Sequence, residues 1–378
     1  MLGSPFLSRG VAVTGKERAL RALSFEDTDR VPMLGGFVSH AEALRHLTGL
    51  DPWAEPYRAA VEGAKALQVD LIIQVVPPKA AEVSTEASGG RESLFSKQEK
   101  PAYASPEEVR DYVEALPPPA ELRQAFDFQG YYEETLADWR RCQAEGGEDL
   151  LLLPYARARD CGFMYYSSFG YENYFEALAL YPDAMFKLFR HSAEEARCCN
   201  EVIVRLVRET DYPPYVYIGQ DICDNSGPMI SPAALDELYF PNLAYALEPL
   251  NDARIKKVWH SDGNINPILD CLLACGINGF QGLQEDTYLP EPQRVSLEKL
   301  ARRRDRWGEL LILYGSVSVR DVLPHGTVED VKREVERCLD ACRGRSGFFL
   351  GPTSTVGPDV PVQNIVAMYE HTREYSRR

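Results

Sequence analysis

Short runs rich in apolar and β-branched residues recur along this chain. Each is followed by a stretch whose apolar positions repeat every three to four residues. The runs lie at 30–35, 70–76, 150–155, 215–221, 254–260, 277–283, 310–315 and 347–351. The intervening stretches carry helix-start chemistry. Ser105-Pro106-Glu107-Glu108 joins an N-cap serine to a proline at the first helical position and a glutamate that completes a capping box. Ser231-Pro232 opens a second helix in the same way, predicted to reach about Leu250. Thr327 precedes a stripe through Val331, Val335 and Leu339, and 182–209 carries a long stripe through Met185, Leu188, Phe189, Val202, Leu206 and Val207.

Strands alternating with helices predict a parallel sheet covered by helices. Eight strands are the number that closes a barrel filled by side chains, so the pattern predicts a (β/α)8 TIM barrel spanning 1–378 as one domain. An open doubly wound sheet would call for a glycine-rich phosphate turn after its first strand, and Met33-Leu34-Gly35-Gly36-Phe37 does not supply one. Residues 1–29 read as a helical extension. Two stretches exceed the minimal unit. The polar segment 79–101 reads as a lid over the barrel mouth, and 162–175 is crowded with Phe163, Tyr165, Tyr166, Phe169, Tyr171, Tyr174 and Phe175.

Composition narrows the partners. The 378 residues carry a net charge of -16, with a pI near 5.0, which repels phosphate backbones and argues against nucleic acid. The chain has no apolar run long enough to span a bilayer, and its first fifteen residues do not have the build of a secretory signal. Nine cysteines without framework spacing read as reduced thiols, and the expected compartment is the cytoplasm.

Function in a parallel barrel sits where strands end at their carboxyl side. Those ends yield Gln74, Asp221, His260, Asp262, Gln281, Glu285, Tyr314 and Thr353. The strongest local feature is Val258-Trp259-His260-Ser261-Asp262-Gly263-Asn264. Side chains at i and i+2 of an extended segment project to one side, so His260 and Asp262 can converge. An imidazole beside a carboxylate suits a divalent metal or an acid–base pair; it also suits a histidine that merely fixes its loop. Asp221 or Glu285 would add a third oxygen ligand, and Cys223 is a softer alternative. Tyr165 and Tyr166, in the aromatic stretch, offer flat faces to a planar substrate, or else form the core of a lid. Gln74, Gln281 and Thr353 are expected to bind substrate. The chain shows no GxSxG, P-loop, CxxC or HExxH pattern, which leaves nucleophilic serine chemistry and nucleotide hydrolysis unsupported.

These residues, taken with Lys16-Glu17-Arg18-Ala19-Leu20, Asp29-Arg30-Val31-Pro32, Gly227-Pro228-Met229-Ile230-Ser231-Pro232, Gly276-Ile277-Asn278-Gly279-Phe280 and the C-terminal Gly326-Thr327, Asp330-Val331, Pro361 and Asn364, resemble the uroporphyrinogen decarboxylase superfamily over nearly the whole chain. The resemblance implies a (β/α)8 barrel and divides by chemistry. Decarboxylases of that superfamily bind a polycarboxylate tetrapyrrole with arginines after the first strand and an aspartate after the second. Here 33–40 contains no arginine, Ile73-Gln74-Val75-Val76-Pro77 contains no acid, and Thr353 stands where a late histidine is expected. The other branch comprises corrinoid-dependent methyltransferases that hold zinc through His-x-Cys and a late Cys. Here the corresponding element is His260-Ser261-Asp262, and the late position is Thr353-Ser354. An oxygen-rich site suits an ether better than a thiol.

The resemblance therefore implies a methyltransferase of the O-demethylase kind. It would move a methyl group from a small methoxylated, aromatic donor to a corrinoid (cobalamin) protein. Zinc would be held by His260, Asp262 and Glu285, with Asp221 as a further catalytic residue. A homodimer is implied by the same likeness. Decarboxylation of a tetrapyrrole and non-catalytic corrinoid or tetrapyrrole binding are the alternatives.

Overall fold

The computed structural model describes residues 13–78, 103–285 and 293–376. The expected lid at 79–101 and the first part of the extension, 1–12, lie outside them. Every apolar run contributes a strand: β1 Leu34–Gly35, β2 Leu71–Ile72, β3 Leu151–Leu152, β4 Tyr215–Gly219, β5 Lys256–His260, β6 Gly279–Gln281, β7 Ile312–Tyr314 and β8 Phe348–Phe349. All pairings are parallel, in the orders β1-β2-β3 and β4-β5-β6-β7-β8. A bridge between Met33 and Leu350 joins β8 to β1, with Leu34 N donating to Leu350 O at 2.8 Å and Leu350 N to Pro32 O at 3.0 Å. The chain thus forms a (β/α)8 barrel.

The strands are shorter than the runs that predict them. Pro32 and Pro154 interrupt the first and third runs and lack the N–H a ladder needs. Between β3 and β4 no backbone pairing is made among the described residues, and Pro213-Pro214, just before β4, removes two more donors. A crevice remains there, bordered by Leu153, Pro154, Tyr155, Tyr212 and Tyr217. The Gln220 side chain crosses this seam, donating to Asp160 Oδ1 at 2.8 Å and accepting from Phe163 N at 2.8 Å.

Helix starts follow the capping chemistry. Ser105 Oγ accepts from Glu108 N, and Thr327 with Asp330 forms a reciprocal capping box over Val328–Ala341. Val331, Val335 and Leu339 are buried against the barrel. The helix opened by Ser231 extends to Asp252, past the expected end, and carries a wide turn at Leu235–Tyr239. Pro241 has no N–H to give, and the wider turn, with Phe240 N bonded to Leu235 O, brings the chain past it. Among the described residues no helix is long and apolar enough to cross a membrane.

The N-terminal extension folds as the helix Gly15–Leu23 under the amino ends of the strands. Its Arg18 meets Asp70, the residue before β2, with Nη1 2.6 Å from Oδ1. Arg30 adds Nη2 to Oδ1 at 2.9 Å and Nη1 to Oδ2 at 2.7 Å, and Met33 N donates to Oδ2 at 2.8 Å. Four donors therefore converge on one buried carboxylate at the floor of the barrel. The 162–175 stretch packs at the opposite end as Tyr166–Phe169 and part of Tyr171–Leu180, parted by Gly170.

Candidate functional site

Parallel register decides which side chains share the barrel interior. Gly219 lies beside His260, His260 beside Gln281, and Gln281 beside Tyr314, so these positions form one layer at the carboxyl end. Side chains at paired positions of neighbouring parallel strands point to the same face. Gly219 is required here: a Cβ would lie 2.2 Å from the carbonyl oxygen of His260. Beyond His260 the chain turns at Gly263, whose φ of +83° favours glycine and whose Cβ would meet Asp224 O at 2.4 Å.

This turn brings Asp262 back over the end of β5, and Asp221 approaches from the end of β4. Ligand-capable atoms of Asp221, His260 and Asp262 all lie within 4.8 Å of one another. His260 Nε2 stands 3.4 Å from Asp221 Oδ1, which also accepts from Asp262 N at 2.9 Å. Asp262 Oδ1 is buried and has no hydrogen-bond partner among the described residues. Burial pushes the Asp262 carboxyl above its ordinary value; the His260 imidazole pulls it down and Asp221 pushes it up again. Two carboxylates with an unmatched buried oxygen and one imidazole nitrogen form a donor set that fits a divalent cation.

On its other side, His260 Nδ1 lies 2.5 Å from Gln281 Oε1. Gln281 is buried, accepts a second bond from Tyr217 OH at 2.9 Å, and donates from Nε2 to Thr353 O at 2.9 Å. Thr353 Oγ1 accepts from Val319 N. Burial holds the Tyr217 phenol well above its ordinary range, with Tyr215, Tyr155, Asp262 and Asp221 adding to the shift, so it remains an O–H donor.

Several expectations change on these contacts. Glu285 does not join the cluster: its Oε2 pairs with Arg337 at 2.6 Å and accepts from Ser316 Oγ, while its Oε1 accepts from Leu297 N. Asp221 stands in the place expected for it. Gln281 and Thr353, expected to bind substrate, are buried and bonded to each other. Tyr165 stacks on Phe169 at 5.7 Å within the aromatic cluster, whereas Tyr166 OH reaches the backbone oxygen of Asp221 at 3.2 Å. Phe163 is buried between Phe189 and Tyr239 as core. Gln74 stands just beyond β2, partly exposed, with its carbonyl against Gly36. Cys223 is buried, its thiol pushed up to about 12 chiefly by burial, which disfavours the thiolate a metal needs. Tyr314 points inward to Tyr215 OH at 2.7 Å.

Tyr217, Tyr155 and Asp160 do not stand out in the sequence. The signal for Tyr217 was its place two residues before Gly219 on β4, which puts it on the same face. Asp160 is buried, with its carboxyl pushed up to about 7 by burial and Oδ2 unpartnered among the described residues. The arginines of the same loop face outward: Arg157 Nε binds Asp138 at 2.8 Å and Arg159 Nη1 binds Glu195 at 2.6 Å.

A family model described as uroporphyrinogen decarboxylase (URO-D) matches residues 162–375, more than half of the chain. No curated protein matches. Among solved structures, a methyltransferase from Methanosarcina mazei is similar with a TM-score of 0.60 at 18% identity. The match covers 96% of this chain and 99% of that one.

Proposed function

The chain belongs to the uroporphyrinogen decarboxylase family, and from that premise we propose that it is a metal-assisted methyltransferase acting on a small methoxylated, aromatic donor. The acceptor in this reading is the corrinoid of a separate protein. One observation carries it: the buried, unmatched Asp262 Oδ1 sits beside Asp221 and His260 at the carboxyl end of the barrel. A polycarboxylate tetrapyrrole would meet these two acids with Arg157 and Arg159 already paired elsewhere, which is electrostatically unfavourable. A divalent cation would meet them favourably. The likeness in fold to a methyltransferase is in keeping with this choice.

Asp221, His260 and Asp262 would hold the ion, and the chemistry it supplies when bound is polarisation of an ether oxygen. Zinc suits the donor set. Tyr166, tied to the backbone of Asp221, and the exposed Tyr155 flank the cluster and would orient an aromatic ring. In the transfer, the O–CH3 bond breaks, the methyl group passes to the nucleophilic cobalt of the partner, and the phenolate takes up a proton from the medium.

The test follows cob(I)alamin spectrally with a panel of methoxyarenes, with and without zinc. Zinc-dependent loss of the cob(I) signal is expected. Conversion of uroporphyrinogen to coproporphyrinogen would overturn the proposal in favour of decarboxylation. Tight cobalamin binding without turnover would overturn it in favour of a binding protein.

A further inference from the structure

The hydrogen bonds on the far side of His260 fix more than its position. Thr353 O can only accept, so Gln281 must turn its NH2 toward it, at 2.9 Å. That leaves Gln281 Oε1 facing both Tyr217 OH and His260 Nδ1. A carbonyl oxygen can only accept, so the Nδ1 position carries the hydrogen. In the neutral ring the lone pair then resides on Nε2, the nitrogen that faces Asp221.

Resting on the divalent-cation reading above, we propose that Gln281 is a positioning residue: with Tyr217 and Thr353 it locks His260 in the Nδ1–H form, so that Nε2 is set as a ligand before any cation arrives. Each contact has a role. Thr353 O chooses the amide orientation, Tyr217 occupies the second lone pair of Oε1, and the amide orients the ring. Gly282 closes the remaining side, since a Cβ there would lie 3.2 Å from His260 Nδ1. Gln281 itself is only 1% exposed, so it is a support behind the ligand and not a contact for substrate. Partners of this kind typically change metal affinity by about 10–100-fold when removed.

The test compares wild type with Gln281→Leu and Gln281→Glu, using 15N-detected NMR of the His260 ring in metal-free protein together with zinc competition against a chromophoric chelator. Wild type is expected to show the Nδ1–H tautomer. Gln281→Leu is expected to show a mixture and zinc affinity weaker by about 10–100-fold. Gln281→Glu keeps an acceptor toward Nδ1 while losing the donor to Thr353 O, and is expected to retain the Nδ1–H tautomer. Gln281→Glu also keeps the proposal falsifiable should the leucine variant fail to fold. An Nδ1–H tautomer and zinc affinity both unchanged in Gln281→Leu would overturn the assignment, as would the Nε2–H form in wild type or loss of the tautomer in Gln281→Glu. Wild type that shows the Nδ1–H form yet binds no zinc would support the positioning role and sink the cation reading, so the two fail separately.

Discussion

Two aspartates, one at each end of the barrel, are treated in opposite ways. At the floor, Asp70 receives four hydrogen bonds, three from Arg18 and Arg30 and one from Met33 N. At the mouth, Asp262 keeps an oxygen without a partner among the described residues and faces another carboxylate. Burying a charge is costly unless it is paired, so the first arrangement is one a fold uses for itself. The second leaves a cost unmet, and such costs concentrate where a ligand is to be bound. Two further groups carry an unmet burial cost, one at each end: Lys257 near the floor, whose ammonium burial pushes down to about 7, and Asp160 beyond β3, whose carboxyl burial pushes up to about 7.

Substitutions can sharpen this comparison. The largest effect is expected from Asp70→Asn, which strands two buried guanidinium groups and should cost about 3–5 kcal/mol in urea unfolding. A change under 1 kcal/mol would remove the floor from the comparison. Lys257→Met and Asp160→Asn come next, each expected to stabilise by on the order of 2 kcal/mol but in opposite pH windows. For Lys257 the folded state binds fewer protons than the unfolded chain between about 7 and the ordinary value of 10.5. The advantage of Lys257→Met is therefore full below pH 7 and fades as pH rises to about 10.5. For Asp160 the folded state binds more protons between 3.8 and about 7, so the advantage of Asp160→Asn is absent at pH 4 and full above 7. Unfolding curves across pH check both; slopes of the same sign would contradict the pairing. The smallest effect on stability is expected from Asp262→Asn, a gain of about 1 kcal/mol in metal-free protein as the repulsion with Asp221 is relieved. Zinc binding should be lost in the same variant. Retained zinc would break the contrast at its centre.

Much of this architecture was legible in the chain. The β-branched runs locate all eight strands because a strand buried on both faces must be apolar along its length. The pairing of His260 with Asp262 follows from the twofold repeat of extended backbone. The third member was harder, since Asp221 and Glu285 both end strands. What excludes Glu285 is Arg337, fifty-two positions away on the helix Val328–Ala341, and no local pattern announces that partner. Gln281 and Thr353 do lie at strand ends, but their strands are separated by β7, and no local pattern announces the hydrogen bond that turns them toward each other. The aromatic stretch offered two readings, and the structure divides it: Phe163 and Tyr165 pack against other aromatic rings, while Tyr166 reaches the site.

The unlaced edge between β3 and β4 has a mechanical consequence. A hoop joined by backbone bonds on every side but one does not yield evenly. Thermal breathing is expected to concentrate at this gap, which among the described residues is bridged by the Gln220 side chain and by Tyr166 OH on the backbone oxygen of Asp221. The wall of this cup thus has a built-in expansion joint, and it runs from the crevice behind Tyr155 up to the rim beside Asp221.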